Sequence, residues 1–228
     1  MRNNAKSMFL IFISILFLFV QIPTTAFSTT IDIDNASFEE DVTFTGDGDE
    51  GEWSKTVPSW NQSGDNGIFE PTDVAFDEIP DGTQTVYLNS GYVSQELSAN
   101  YEPHNKYTLS VAVGNRKDNT LQDFEISLLA NGAEIKSINP GSSYFPADGK
   151  FSYFDVSYTA WSNDTYLGDN IGIKLENLSD KVQVNFDDAS LNAQSVPEPS
   201  SLWLLGVGVL GLFAYSRKKL SGKNSQYS

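Results

Sequence analysis

The 228-residue chain has 30 acidic residues, 14 basic residues and no cysteine, which gives a formal net charge of −16 at pH 7. Such an acidic surface repels phosphate backbones and argues against nucleic-acid binding. Disulfides and a Cys-His catalytic pair are excluded, and a single histidine, His104, cannot build the usual zinc sites. We expect His104 to lie in a surface loop.

Residues 1–28 are predicted to be a secretory signal peptide. Arg2 and Lys6 precede an apolar run at residues 8–20, and the small residue Ser28 suits a cleavage directly after it. The chain is therefore expected to be exported. The alternative is a signal anchor that stays in the membrane.

Residues 29–193 form the predicted body, in which apolar and polar residues alternate with a period of two. This period is typical of strands that bury one face, and no long segment has the helical period. The strands predicted in this way lie at residues 85–88, 92–95, 107–113, 124–128, 133–138, 154–158, 171–175 and 182–186.

Turn signals separate these strands. Asn131-Gly132 between two apolar strands predicts a hairpin, because both central positions of a type I′ turn need a positive φ. Short strands with such turns indicate an all-β protein, an antiparallel two-sheet jelly-roll sandwich, flanked by the signal helix and a short C-terminal hydrophobic helix. Residues 46–50 (GDGDE) lack the spacing of an EF-hand calcium loop.

The C-terminal region, residues 194–219, contains an apolar run at residues 202–215. As a helix it would span roughly 21 Å, short of the roughly 30 Å hydrocarbon core, so it predicts a marginal transmembrane segment. The basic residues that follow would stay cytoplasmic, and residues 220–228 are a polar tail. These basic residues are Arg217, Lys218 and Lys219.

Three features in this order resemble the PEP-CTERM sorting signal of bacterial proteins. Pro197, Glu198 and Pro199 come first, then the apolar run, then the basic cluster. The resemblance implies recognition by a membrane exosortase, passage through the cell-envelope membrane, and delivery to the cell surface or extracellular matrix. The alternative is an ordinary single-pass anchor.

The body also resembles a known fold family through an ordered set of motifs. These are NASFEE, VPSW, SGDNGIFEP, GTQTVYLNSGYVSQEL, YTLSVAVGNR and VNFDDASL. Their order is similar to that of the galactose-binding-like jelly rolls found in carbohydrate-binding modules. It is related as well to the calcium-dependent hapalindole-type (Stig) cyclases.

This resemblance implies a structural calcium ion where the first and last strands meet. Glu39 and Asp187 match the positions that would hold it, and calcium prefers hard oxygen ligands. Alternation places Asp188 on the face of Val184 and Phe186, and Asp187 on the other face. The alternative is that both aspartates are exposed acids at a strand end.

Exposed aromatic side chains stack on sugar faces, which makes them candidates for a carbohydrate site. Tyr92, Trp161 and Tyr166 are the residues that we predict to bind a ligand, with Trp161 in a polar loop. Trp60 is expected in the core.

The sequence therefore favours a non-catalytic surface or matrix protein that binds polysaccharide. The first alternative is a cyclase that acts on a terpenoid indole with Asp188 as general acid, in a pocket lined by Tyr87, Tyr92 and Phe145. An enclosed apolar pocket beside Asp188 would favour it. The second alternative is a purely structural matrix protein.

Overall fold

Two antiparallel β-sheets packed face to face form the body of the chain, Ser28–Val196, in this computed structural model. The structure describes residues 27–179, 182–196, 206–208 and 210–212. The predicted all-β, two-sheet jelly-roll sandwich is confirmed. A short 3₁₀ turn lies at Ser142–Tyr144.

The larger sheet has eight strands in the order β11-β8-β13-β6-β5-β3-β2, and β1 pairs with β13. Its strands are β1 (Ser28–Ile31), β2 (Gly46–Gly48), β3 (Gly51–Ser54), β5 (Asn66–Pro71), β6 (Thr85–Leu88), β8 (Asn105–Asn115), β11 (Lys150–Ala160) and β13 (Val184–Ser195).

The smaller sheet has five strands in the order β10-β9-β12-β7-β4. Its strands are β4 (Asn61–Ser63), β7 (Gly91–Asn100), β9 (Phe124–Ala130), β10 (Ala133–Ile138) and β12 (Asn170–Asn177). Each strand predicted from the alternating pattern overlaps one of the observed strands. The five short strands β1 to β5 were not predicted individually.

The core lies between the sheets and consists of the side chains that alternation assigned to it. Leu109, Val111 and Val113 of β8 are fully buried, as are Ile126 and Leu128 of β9. Each such side chain contributes about 1.5–3 kcal/mol through its burial. Trp60 is also in the core, as predicted.

A second apolar cluster lies on the opposite face of the larger sheet. Val86 and Leu88 of β6 point into the main core, and Tyr87 between them belongs to this second cluster. Phe69, Ala75 and Phe76 are its other buried members. The outer face of the larger sheet therefore carries an aromatic cluster. A sheet face that is fully exposed to water would instead carry polar side chains.

The β9–β10 hairpin has the predicted turn. Asn131 has φ 47° and Gly132 has φ 80°, as a type I′ turn requires. A β-carbon on Gly132 would meet no atom within 4 Å, so the glycine is needed only for its backbone conformation.

A β-bulge in β13 corrects the predicted face of Asp188. The register against β8 shifts between Asp187 and Ser190, and Asp188 has φ 44°. Because of the extra residue, Ala189 continues the core face after Phe186. Asp188 is therefore half-buried outside the core, and Asp187 is fully buried.

The predicted signal peptide lies almost entirely outside the described residues. So do the sorting-motif residues Pro197 to Pro199 and the basic cluster at residues 217–219. The described parts of the apolar run, residues 206–208 and 210–212, are helical and exposed. Among the described residues, no helix has both the length and the apolar character needed to cross a membrane.

Candidate functional site

An open groove of about 560 Å³ lies on the aromatic outer face of the larger sheet. One wall is the β2–β3 hairpin, and the other is the chain that leaves β8 at Arg116. Its floor is formed by Phe69 of β5 and Tyr87 of β6. The groove combines aromatic surface with charged and amide side chains, as carbohydrate sites do.

Trp53 of β3 lines the hairpin wall of the groove. Its indole ring packs against the backbone of Gly46, the residue directly opposite in β2. A β-carbon on Gly46 would lie 2.0 Å from Cε2 of Trp53, so only glycine permits this contact. The glycine therefore fixes the orientation of the indole, and Trp53 stays partly exposed to the groove.

Tyr87 lies at the floor of the groove, and its hydroxyl is buried below the groove surface. Its side chain is only 4% exposed, and its hydroxyl makes no hydrogen bond within the described part of the chain. Burial raises the pKa of Tyr87 and the neighbouring Lys55 ammonium opposes this rise, so the hydroxyl keeps its proton. A buried polar group without a partner costs stability, which is typical of functional sites.

Lys55 lies beside Tyr87, with its ammonium nitrogen 5.8 Å from the ring centroid. The ammonium also pairs with Asp65, which in turn accepts a 3.1 Å hydrogen bond from the Asn89 amide. These contacts position the lysine next to the groove floor. Lys55 and Asn89 both line the groove and carry hydrogen-bonding groups.

Arg116 holds the far wall through a buried guanidinium group. Its side chain is 5% exposed and donates two hydrogen bonds to Asp118, of 2.8 and 2.9 Å. It also donates to Glu50 at 2.6 Å and to the Gln183 amide oxygen at 3.1 Å. The guanidinium carbon lies 5.2 Å from the centroid of the Phe69 ring. The groove's polar groups are thus fixed before a ligand arrives.

The predicted ligand-binding residues are not brought together by the fold. Tyr92 lies near the start of β7, whereas Trp161 and Tyr166 lie in the loop after β11, which contacts the end of β7 near Tyr101. The two places are about eight residues apart along a strand, roughly 26 Å. None of the three lines the groove. Their role in binding stays a prediction.

Sequence patterns missed most of the groove. Trp53 lies between two polar residues, Glu52 and Ser54, and Arg116 and Tyr87 come from segments distant from it in the chain. One signal was available in GTQTVYL, where Tyr87 falls on the face that alternation assigns to solvent. A large aromatic residue on the solvent face of a strand indicates a second apolar cluster on the outside of the sheet.

Glu39, the first predicted calcium ligand, is held by the loop at residues 81–84. Its carboxylate accepts hydrogen bonds from the backbone amides of Thr83, at 2.9 Å, and Gln84, at 2.6 Å. Gly82 has φ 62°, and a β-carbon there would lie 2.2 Å from the carboxyl carbon of Glu39. The loop therefore closes around this carboxylate.

Asp187, the second predicted ligand, contacts the same loop. Its carboxylate accepts a 3.1 Å hydrogen bond from the backbone amide of Asp81 and a 2.7 Å bond from that of Asp188. Burial raises the pKa of Asp187 to about 8, and the negative charges of Asp188 and Glu39 contribute. The structure thus brings Glu39 and Asp187 to one loop, and their role as calcium ligands stays a prediction.

The residues at this loop fit a calcium ion in donor chemistry. Two carboxylates share the loop, and the buried Oε1 oxygen of Gln84 accepts no hydrogen bond within the described residues. Unpaired hard oxygens are what calcium prefers. No group of three or more acidic or histidine side chains suited to a metal occurs in the described ranges, so a calcium ion here would need carbonyl and amide oxygens as well.

Asp188, the general acid of the alternative hypothesis, lies outside the groove lining. Its carboxylate accepts a hydrogen bond from the hydroxyl of Tyr153, a residue that is 54% exposed. This bond raises the pKa of Tyr153 to about 12. Of the predicted lining residues, Tyr87 is in the groove, and Phe145 packs on Phe124 of the core at 5.7 Å.

Solved structures with a similar fold include Stig cyclases. The Stig cyclase Fisc from Fischerella sp. TAU, in complex with (3Z)-3-(1-methyl-2-pyrrolidinylidene)-3H-indole, matches with a TM-score of 0.62 at 23% identity, over 75% of this chain and 100% of that chain. A cyclase from Fischerella sp. TAU in complex with 4-(1H-indol-3-yl)butan-2-one matches with a TM-score of 0.61 at 23% identity and the same coverage. These similarities establish the jelly-roll fold.

Weaker similarity extends to a carbohydrate-binding domain. The CBM22-1 xylan-binding domain of Paenibacillus barcinonensis Xyn10C matches with a TM-score of 0.42 at 14% identity, over 65% of this chain and 97% of that chain. No curated protein matches the sequence.

Two family comparisons together cover most of the sequence. Residues 195–218 match the PEP-CTERM protein-sorting motif, which confirms the predicted sorting signal and indicates export and sorting by an exosortase. Residues 29–192 match the HpiC1 cyclase family, described as HpiC1-like. The body of this exported chain therefore belongs to the HpiC1-like cyclase family.

Proposed function

We propose that this exported, exosortase-sorted chain is a non-catalytic binding protein that takes a neutral polysaccharide segment in its groove. The observation that carries the proposal is the groove itself, where Trp53 offers a stacking surface beside the hydrogen-bonding groups of Lys55 and Asn89. Sugar recognition needs an aromatic platform together with hydrogen-bonding groups at fixed positions.

The charges of the groove favour a neutral ligand over an anionic one. Lys55 is paired with Asp65, and Arg116 is paired with both Asp118 and Glu50. Neither cation is left to balance a carboxylate on a ligand. The formal net charge of −16 adds long-range repulsion of anionic chains.

Affinity electrophoresis of the full chain in detergent tests the proposal. We expect retardation by a neutral xylan, galactan or β-glucan and none by alginate. Trp53→Ala should reduce the retardation at least about tenfold, a loss of about 1.4 kcal/mol. Trp161→Ala is the matched control and should bind as the parent does. Equal loss in both variants, or retardation by alginate alone, would contradict the proposal.

A structural calcium ion bound by Glu39 and Asp187 is the second part of the proposal. It is supported by the shared loop and by the unpaired Gln84 oxygen. The ion would neutralise two carboxylates that repel each other and would join the first and last segments of the cysteine-free body. The two carboxylates would be charged ligands of the ion, and the amide oxygen of Gln84 would be a neutral ligand.

Cyclase activity on a terpenoid indole is the second candidate, and the match of residues 29–192 to the HpiC1 cyclase family favours it. In this case Asp188, which lies outside the groove lining, would act as general acid on an indole bound beside it. Incubation with a prenylated indole and mass spectrometry of the product tests this candidate. Turnover that Asp188→Asn abolishes would establish it. Failure to bind both glycans and indoles would leave a purely structural matrix protein.

A further inference from the structure

The chain enters and leaves the body at the same end of the sandwich. β1 and β13 pair antiparallel, with Ser28 opposite Gln194. After β13, the backbone amide of Val196 donates a 2.7 Å hydrogen bond to the carbonyl of His104. Neighbouring strands lie about 5 Å apart, so the first and last strands of the body begin and end near each other. We call this the terminal end, defined by Ser28, His104, Trp161 and Val196.

The groove lies at the opposite end of the same sheet. Within β8, Asn105 pairs with Ser195 at the terminal end, and Gly114 pairs with Asn185, which is opposite Tyr87 of the groove floor. Nine residues of extended strand separate Asn105 from Gly114, a length of about 30 Å.

The chain that connects the body to the apolar run is short. Six residues lead from Val196 to Leu202, and they include Pro197 and Pro199. Fully extended, this connection spans at most about 20 Å. It is shorter than the distance between the two ends of the sandwich.

Trp161 gives the terminal end an aromatic side chain suited to a lipid interface. Its side chain is 39% exposed, and its ring lies 6.3 Å from that of His104, the residue whose carbonyl binds Val196. Tryptophan is enriched at membrane–water interfaces. The chain has a net negative charge, so the rest of its surface should be repelled by anionic lipids.

We propose that, while the C-terminal segment holds the chain in the membrane, the terminal end faces the lipid surface and the groove points away from it. The groove is then open to ligands before the sorting enzyme releases the body. This inference depends on the predicted membrane segment. It does not depend on which ligand the groove binds, so an experiment can contradict the orientation without contradicting the proposed glycan binding, and the reverse.

The cysteine-free chain allows a direct test with single-cysteine variants. Asn163→Cys labels the exposed loop beside Trp161, and Asp47→Cys labels the exposed hairpin at the groove. Each full-length variant carries a fluorophore and is reconstituted in vesicles of phosphatidylethanolamine and phosphatidylglycerol that contain a headgroup-attached nitroxide. We expect the label at residue 163 to be quenched several-fold more than the label at residue 47.

Equal quenching, or stronger quenching at residue 47, would overturn the proposal. So would failure of the full chain to associate with the vesicles. As a matched control, Leu204→Asp combined with Leu205→Asp interrupts the apolar run and should abolish quenching at both positions. Adding Trp161→Ala to the Asn163→Cys variant should lower quenching there, since the indole no longer contacts the interface.

Discussion

Arg116 and Glu50 are joined by a 2.6 Å hydrogen bond between side chains 66 residues apart in the chain. The bond connects the end of β8 to the β2–β3 hairpin, which are the two walls of the groove. Arg116 is buried, whereas the Glu50 side chain is 50% exposed. The width of the groove therefore depends on one guanidinium group.

Replacing this group should destabilise the fold. Arg116→Met removes the cation that pairs with Glu50 and Asp118. Because water can hydrate both carboxylates in the variant, the expected loss in the free energy of unfolding is moderate, about 1–3 kcal/mol. Lys117→Met is the control, since it removes an exposed pair with Asp77 and an exposed hydrogen bond to the Asp73 carbonyl and should change stability much less. Urea denaturation measures both. Similar values for the two variants would contradict the role of Arg116.

Tyr87→Phe should test whether the buried hydroxyl is bonded in the folded protein. The hydroxyl has no partner in the described structure, so its removal should leave the unfolding free energy unchanged or raise it. Glycan affinity should stay within about threefold of the parent, because the ring that lines the groove is kept and the hydroxyl is buried. Tyr153→Phe is the control and should not change affinity. A destabilised Tyr87→Phe variant would show that the hydroxyl is bonded in the folded protein.

Gly82→Ala should disturb the loop that holds both predicted calcium ligands. The new β-carbon would meet the Glu39 carboxyl carbon at 2.2 Å, at a residue with φ 62°. We expect a loss of about 1–3 kcal/mol in thermal or chemical unfolding. Gly132→Ala has the same sign of φ and no neighbouring atom within 4 Å, so it measures the backbone cost alone. An equal loss in both variants would exclude the contact with Glu39.

Calcium should stabilise the chain through Glu39. At calcium concentrations about 100 times the dissociation constant, we expect about 2.7 kcal/mol of added stability, removed by a chelator. Glu39→Gln should abolish the effect. Glu40→Gln is the control, since Glu40 accepts a 2.9 Å hydrogen bond from Ser59 and contacts neither Asp187 nor the loop at residues 81–84 in the bonds described. A calcium effect that survives Glu39→Gln would refute the site.

Stability in the presence of a chelator should fall as the pH rises. The folded chain raises the pKa of Asp187 to about 8, whereas the unfolded chain has the ordinary value of about 4. Between these values the folded state holds more protons than the unfolded state, so the free energy of unfolding decreases from about pH 4 towards pH 8. Asp187→Asn should flatten this part of the profile. An unchanged slope in that variant would assign the effect to other groups.

The sequence determined the sorting signal, the fold class and the core of the long strands. A period-two pattern is local, so it identifies strands and their buried faces without knowledge of their partners. The Asn131-Gly132 turn was predicted for the same reason, because its requirement for positive φ is local. Glu39 and Asp187 were placed together through the resemblance to a family.

Only the tertiary structure decided which residues share a site. The groove combines Trp53, Tyr87 and Arg116 from three segments, and strand order, which single-sequence patterns do not encode, places them side by side. The bulge at Asp188 moved this aspartate off the predicted core face, because one extra residue reverses a period of two. Strand pairing also set the terminal end and the groove about 30 Å apart, since the length of β8 separates them.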